Sequence, residues 1–176
     1  MRLVSPEPWA TALASAGDAA LTPLGGNAYE VRTVFPSSVY LMKQAPKPVT
    51  LPCDLTGVPF IPSFVSQQGV QLNSPQYAGA GVGEGAVGGV SKRGFNAHPP
   101  DHGRTIQDFP LTLPPGPCKF HCSIGLRDGS KSEGCLFIVA VTGNELARQL
   151  ILPGAWHEFE ARYEKHFGPL AMARLR

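Results

Sequence analysis

Alternation of apolar and polar positions is clearest in two parts of the chain. From Ala28 to Phe35, Tyr29, Val31, Thr33 and Phe35 fall on one side and Glu30 and Arg32 on the other, the signature of a half-buried strand. After the Pro36-Ser37 turn, Val39 to Met42 returns as a second strand, so the pair reads as a hairpin. Cys118, Phe120, Cys122 and Ile124 alternate with Lys119, His121 and Ser123. Cys135 to Val141 is apolar at every position, as in a strand covered on both faces. Shorter strand candidates are 49–51, 58–65 and 69–72; Pro52, Pro59 and Pro62 remove backbone donors there, which predicts edge positions or no sheet.

Helical patterns are expected elsewhere. Trp9 to Leu21 is alanine-rich and follows a Ser-Pro-Glu-Pro entry, predicting a short helix in an N-terminal arm that ends at the turn residues 22–27. Thr142 and Glu145 match a capping box for a helix over about 143–150. Trp156, Phe159, Tyr163 and Phe167 recur at helical spacing, with Glu158 and Arg162 four residues apart, predicting a helix over about 155–167 that covers the 135–141 strand and stops at Gly168-Pro169. The expected fold class is therefore α+β and β-rich: a small antiparallel sheet, one or two C-terminal helices, and long Gly/Pro-rich extended arms and loop. The expected organisation is an arm at 1–27, one α+β domain at 28–168 and a tail at 169–176.

Residues 73–105 show neither period. A glycine-dense run from Tyr77 to Val90 leads into a basic segment with His98 and His102. Glycines lose much backbone freedom on ordering and bury no side chain in return. Such a tract is expected to be a loop, held in place by a neighbouring protein surface.

Composition sharpens this picture. The 176 residues include 20 glycines and 18 prolines, more than a fifth of the chain, while Asp, Glu, Lys and Arg make up only 16%, below the usual quarter. A net charge of +2, with scattered cations, lacks the basic stripe of a nucleic-acid binder. No apolar run is long enough for a transmembrane helix, and the proline-broken N-terminus does not resemble a cleaved secretory signal. The four cysteines, Cys53, Cys118, Cys122 and Cys135, are expected as reduced core thiols.

Motifs with chemical meaning are weak in context. Gly83 to Gly88 spells GxGxxG, but a dinucleotide site needs a strand before it and a helix after it. Cys118, His121 and Cys122 suggest zinc, yet strand alternation points His121 away from the two thiols. Pro99-Pro100 forbids the helix that would align His98 and His102. Asp54 and Asp108 read as turn-capping or solvated carboxylates. No catalytic residue, cofactor or metal is expected.

The composition thus implies a non-enzymatic structural subunit of a large assembly, with a virion or phage particle (minor capsid, decoration or connector component) as the favoured setting and a virion or cytoplasmic assembly as the location. Its partners would be other protein subunits, without membrane or nucleic acid. Contact residues would be Trp9, Tyr77, Arg93, Phe95 and Arg104. Two other readings are a ribosome-type ribonucleoprotein subunit, and a small enzyme or ligand-binding domain in which residues 77–104 act as a lid.

Overall fold

The computed structural model describes residues 1–14, 19–33, 39–45, 48–66, 69–72, 80–99, 102–141, 144–164 and 171–175, with backbone alone at 13–14, 64, 66, 69–72 and 171–175. In chain order the strands are β1 (Arg2–Val4), β2 (Thr11–Ala14), β3 (Ala19–Gly25), β4 (Ala28–Thr33), β5 (Val39–Met42), β6 (Ile61–Ser66), β7 (Gly69–Leu72), β8 (Gly81–Val87), β9 (Val90–Asn96), β10 (Arg104–Leu111), β11 (Cys118–Ile124), β12 (Cys135–Val141), β13 (Asn144–Ile151), β14 (His157–Tyr163) and β15 (Ala171–Leu175). The helical content among the described residues is one 3-10 turn, Leu55–Gly57. The protein is therefore nearly all β, and the expected α+β class with C-terminal helices is wrong.

The largest sheet has six antiparallel strands in the order β13-β12-β15-β10-β6-β7. Smaller units surround it: a three-stranded sheet β1-β4-β3 and the two-stranded ribbons β2-β5, β8-β9 and β11-β14. Strand β10 lies near the centre. Its residues Ile106, Gln107, Asp108 and Phe109 are all buried, so both faces of the sheet are covered there. On one face Phe109 and Leu111 join Val139, Ile124, Ile151, Phe159 and Ala161 in the main core. On the other, Asp108 accepts a 2.8 Å hydrogen bond from the Tyr40 hydroxyl, and Tyr40 packs on Ile61. Trp9 N donates to the Tyr29 hydroxyl at 3.0 Å, which joins the β1-β4-β3 sheet to the segment leading into β2.

Each lost helix has a local cause. In β14, Phe159, Ala161 and Tyr163 are buried while Glu158, Glu160 and Arg162 are exposed. That is a period of two; the aromatics alone imitate helical spacing because Ala161, the small member of the buried set, is easily overlooked. The expected Glu158–Arg162 pair does not form, since Arg162 pairs with Glu160 across 3.0 Å. Phe167 and Thr142 lie outside the described residues. Strand β13 has a helix-favouring composition but pairs with β12 from Cys135↔Ile151 to Val141↔Asn144. Pairing demand from an apolar strand outweighs weak local propensity. The residues read as an arm helix are β2 and β3, separate strands in separate sheets. Strands β4 and β5 do not form a hairpin with each other; β4 sits between β1 and β3, and β5 pairs with β2. The segment read as a tail supplies β15, inserted between β10 and β12.

Prolines do not confine β6 to an edge, because β10 and β7 flank it. Pro62 lies one residue before the β6–β7 pairing begins at Ser63, so its missing N–H is not needed on that side. Pro110 likewise lies beyond the end of the β10–β6 pairing at Asp108.

The glycine tract is not a structureless loop. Residues 81–96 are the β8-β9 hairpin, paired in register from Gly81↔Asn96 to Val87↔Val90. Gly88 and Gly89 form its two-residue turn at φ 59° and 76°, which glycine tolerates. A Cβ at Gly88 would sit 2.5 Å from the Gly154 carbonyl oxygen, so this turn also needs glycine for close approach. The hairpin rests on its own chain, through Phe95 against Phe60 and Phe109 and through Asp128 at its turn.

Two variants test the central strand. Phe109→Ala empties a fully buried site and should cost about 3–5 kcal/mol in urea unfolding. Tyr40→Phe takes a donor from a buried carboxylate and should cost about 1–3 kcal/mol. A loss well below 1 kcal/mol in either would place the core elsewhere.

Candidate functional site

The densest polar constellation lies where the β8-β9 hairpin meets the β11-β14 ribbon. Alternation sends Phe120, Cys122 and Ile124 of β11 toward the core and Lys119, His121 and Ser123 outward. On β14 the outward residues are Glu158, Glu160 and Arg162, with register pairs Ser123↔Glu158, His121↔Glu160 and Lys119↔Arg162. The hairpin adds Lys92.

Glu158 is the hub. Ser123 Oγ donates to its Oε1 at 2.7 Å and accepts from Lys92 Nζ at 2.7 Å. His121 Nε2 lies 3.0 Å from Oε2, and Lys92 Nζ 3.7 Å from Oε1. The Ser123 hydrogen bond, joined by the charges of Lys92 and His121, outweighs the opposing effect of desolvation and holds the Glu158 carboxyl below the usual glutamate range. Lys92 Nζ also stands 5.2 Å from the centre of the Trp156 ring, and the indole N–H donates to the Val90 carbonyl at 2.8 Å. One step along the ribbon, Lys119 and Arg162 flank Glu160 at 2.8 and 3.0 Å and keep its carboxyl low as well.

The chemistry open to this cluster is limited by its own pairing. A Ser–Lys nucleophile needs a neutral amine to take the hydroxyl proton. Here Lys92 Nζ donates to Ser123 Oγ, and the Ser123 hydroxyl proton already points to the Glu158 carboxylate. The arrangement is a cross-strand charge lattice that fastens the hairpin to the ribbon. Sequence reading placed His121 and Ser123 outward but missed the cluster, because the helix assigned to 155–167 hid the alternation of Glu158 and Glu160.

The expected contact residues do not converge. Trp9 is half-buried, and its indole N–H donates to Ser5 Oγ at 2.8 Å. Arg93 is exposed on β9 opposite Glu84. Phe95 is no free anchor: it packs against Phe60 and Phe109 with ring centres 5.4 and 5.2 Å apart. Arg104 is exposed at the start of β10, opposite Val65. Tyr77 lies outside the described residues.

Other motifs find their places. The GxGxxG string runs through β8 into its turn and continues as strand β9, so no helix N-terminus receives a phosphate. His98 and His102 are exposed. Asp54 caps the 3-10 turn, where hydrogen bonds from the Thr56 amide and hydroxyl lower its carboxyl, with a smaller contribution from Arg93. Asp108 is not a solvated or turn carboxylate; it is fully buried in β10. All four cysteines are free and half-buried. Among the described residues no group of three His, Cys, Asp or Glu side chains could hold a metal ion. The chain matches no known protein family, no curated protein and no solved structure.

Burial, with a smaller repulsion from Glu158, pushes the Cys122 thiol up to about 12. Thiolate is the reactive species. Iodoacetamide at pH 8 should therefore leave Cys122 unmodified in the folded chain and label it after denaturation, read by peptide mass spectrometry. Rapid labelling of the native chain at Cys122 would contradict its placement against Phe159.

Proposed function

We propose that this protein is a non-enzymatic structural subunit of a protein assembly, and that the outer face of β12 and β13 is its contact surface. One observation carries the reading. Leu136 and Leu150, direct cross-strand partners, are 43% and 60% exposed, and Leu152 beside them is 52% exposed. Gly134 forms the floor between them: a Cβ there would meet Leu150 Cδ1 and Leu152 Cδ2, each at 3.5 Å. A contiguous apolar patch of this kind favours a protein partner, whereas single exposed leucines need no explanation.

The patch spans β12 and its neighbour β13, an edge strand of the largest sheet. Glu145 and Arg148 form a bidentate pair on the same strand at 2.5 and 2.6 Å, giving the apolar patch a charged neighbour. An apolar centre with a polar rim is the usual anatomy of a protein contact. The low charge content and the many glycines and prolines suggest a particle protein such as a virion component. The contact role assigned to the glycine tract passes to this leucine face, because the tract is occupied with its own body.

Light scattering on the purified chain should show mass rising with concentration. Leu136→Asp with Leu150→Asp should return a monomer whose far-UV circular dichroism is unchanged. A wild-type chain that stays monomeric at high concentration, with the double variant indistinguishable from it, would remove the leucine face as a contact surface.

A further inference from the structure

The β8-β9 hairpin is attached to the body by different forces along its length. At its base, Phe95 sits in a three-ring cluster with Phe60 and Phe109, and Gln107 Nε2 donates to the Asn96 carbonyl at 3.3 Å. In the middle, Gly83 and Gly94 are direct cross-strand partners, so neither strand has a side chain at that level. At the tip, the fastenings are almost all polar. Asp128 Oδ1 and Oδ2 accept the Gly88 and Gly89 amides at 2.8 and 2.9 Å, and the Asp128 amide donates to the Ala86 carbonyl at 2.8 Å. Lys92 reaches Ser123 and Glu158, and Trp156 donates to Val90.

We infer that residues 84–93 form an acid-released flap, which lifts about the Gly83–Gly94 level when its carboxylate latch is protonated and uncovers Gly125 and the Trp156 ring. Apolar contact at the tip comes from Val87, which is 2% exposed. A Cβ at Gly125 would lie 3.0 and 3.1 Å from the two Val87 methyls and 3.2 Å from Trp156 Cε3. The flap therefore seats one valine on a backbone strip beside an indole, while two carboxylates hold it down.

The charged and titratable groups around the latch set its direction. Glu158 faces Lys92 from β9 and His121 and Ser123 from β11; Lys119, Glu160 and Arg162 form the next step of the lattice. Asp128 faces the Gly88 and Gly89 amides. Because its contacts lower the Glu158 carboxyl, the fastening is complete above the ordinary glutamate range and is lost as pH falls through the lowered value.

Hydrogen exchange resolved by peptide, with protection corrected for intrinsic rates at each pH, tests the flap in the intact chain. On acidification, amides 86–91 should lose protection before those of β10 and β12. At pH 7, Glu158→Gln and Asp128→Ala should each lower protection of 86–91 by roughly tenfold and leave β10 and β12 unchanged. Gly94→Val, whose added Cβ meets nothing within 4 Å, should raise tip protection by stiffening the hinge level. The inference is overturned if amides 86–91 and β10 lose protection together at every pH, or if the two carboxylate variants leave the tip unchanged. These readouts are local to the hairpin, so they stand or fall separately from the leucine contact surface.

Discussion

The middle of strand β10, Ile106 to Phe109, has no solvent side, and the architecture follows from that constraint. Successive residues must satisfy opposite environments: Phe109 enters an aromatic and aliphatic core, and Asp108, one residue earlier, meets a tyrosine hydroxyl in the opposite layer. A buried carboxylate is tolerable only with hydrogen-bond partners. The β2-β5 ribbon therefore does more than cover apolar area, since Tyr40 supplies a donor that water cannot provide there. The β8-β9 and β11-β14 ribbons likewise cover the central sheet, through Phe95 and through Ile124 and Phe159, while the β1-β4-β3 sheet leans on the β2-β5 ribbon. Two-stranded ribbons are marginal by themselves, and each of these gains its stability by lying on something larger.

Strands were legible where one face is wet. The alternation over 28–33 and 118–124 stated the element and, apart from exposed Thr33, the face, because the polar residues there are more exposed than their apolar neighbours or only half-buried. Pairing partners were not legible. Nothing local in 28–42 distinguishes a simple hairpin from β4 taking β1 and β3 while β5 takes β2. Helix was misread at β13 and β14 for two separate reasons. In β14, Phe159 and Tyr163, extended by Trp156 and Phe167 on either side to a four-aromatic helical spacing, masked a period of two completed by Ala161. In β13, residues such as Leu, Ala, Arg and Gln carry helical preference of only tenths of a kcal/mol each, too little to resist the pairing offered by β12.

The polar cluster illustrates how one wrong element hides a site. With 155–167 read as a helix, Glu158 and Glu160 fall on different faces and have no reason to meet His121 or Ser123. As a strand, the same segment places Glu158 and Glu160 on the outward face of the β11-β14 ribbon, diagonal to His121 and Lys119, and Lys92 arrives from a hairpin that itself had been read as loop. The reading that His121 points away from Cys118 and Cys122 agrees with the alternation of β11. It places the imidazole beside a carboxylate that also carries the hairpin.

The glycine tract shows why sparse side chains need not mean absent structure. Backbone pairing supplies hydrogen bonds that do not depend on composition, and a Gly-Gly turn fits a two-residue hairpin better than other residues do. What glycine withholds is lateral grip. Over 81–86 the strand offers few side chains with which to hold the body, so anchorage shifts to its partner strand and to the ends. Phe95 grips from one end and Val87 from the other, helped by amides that glycine leaves accessible to the Asp128 carboxylate. A hairpin held at both ends with a smooth middle is ordered and yet easily released from one end. The entropy that argues against order in such a sequence is offset by a small number of well-placed contacts, and most of those at the tip depend on charge.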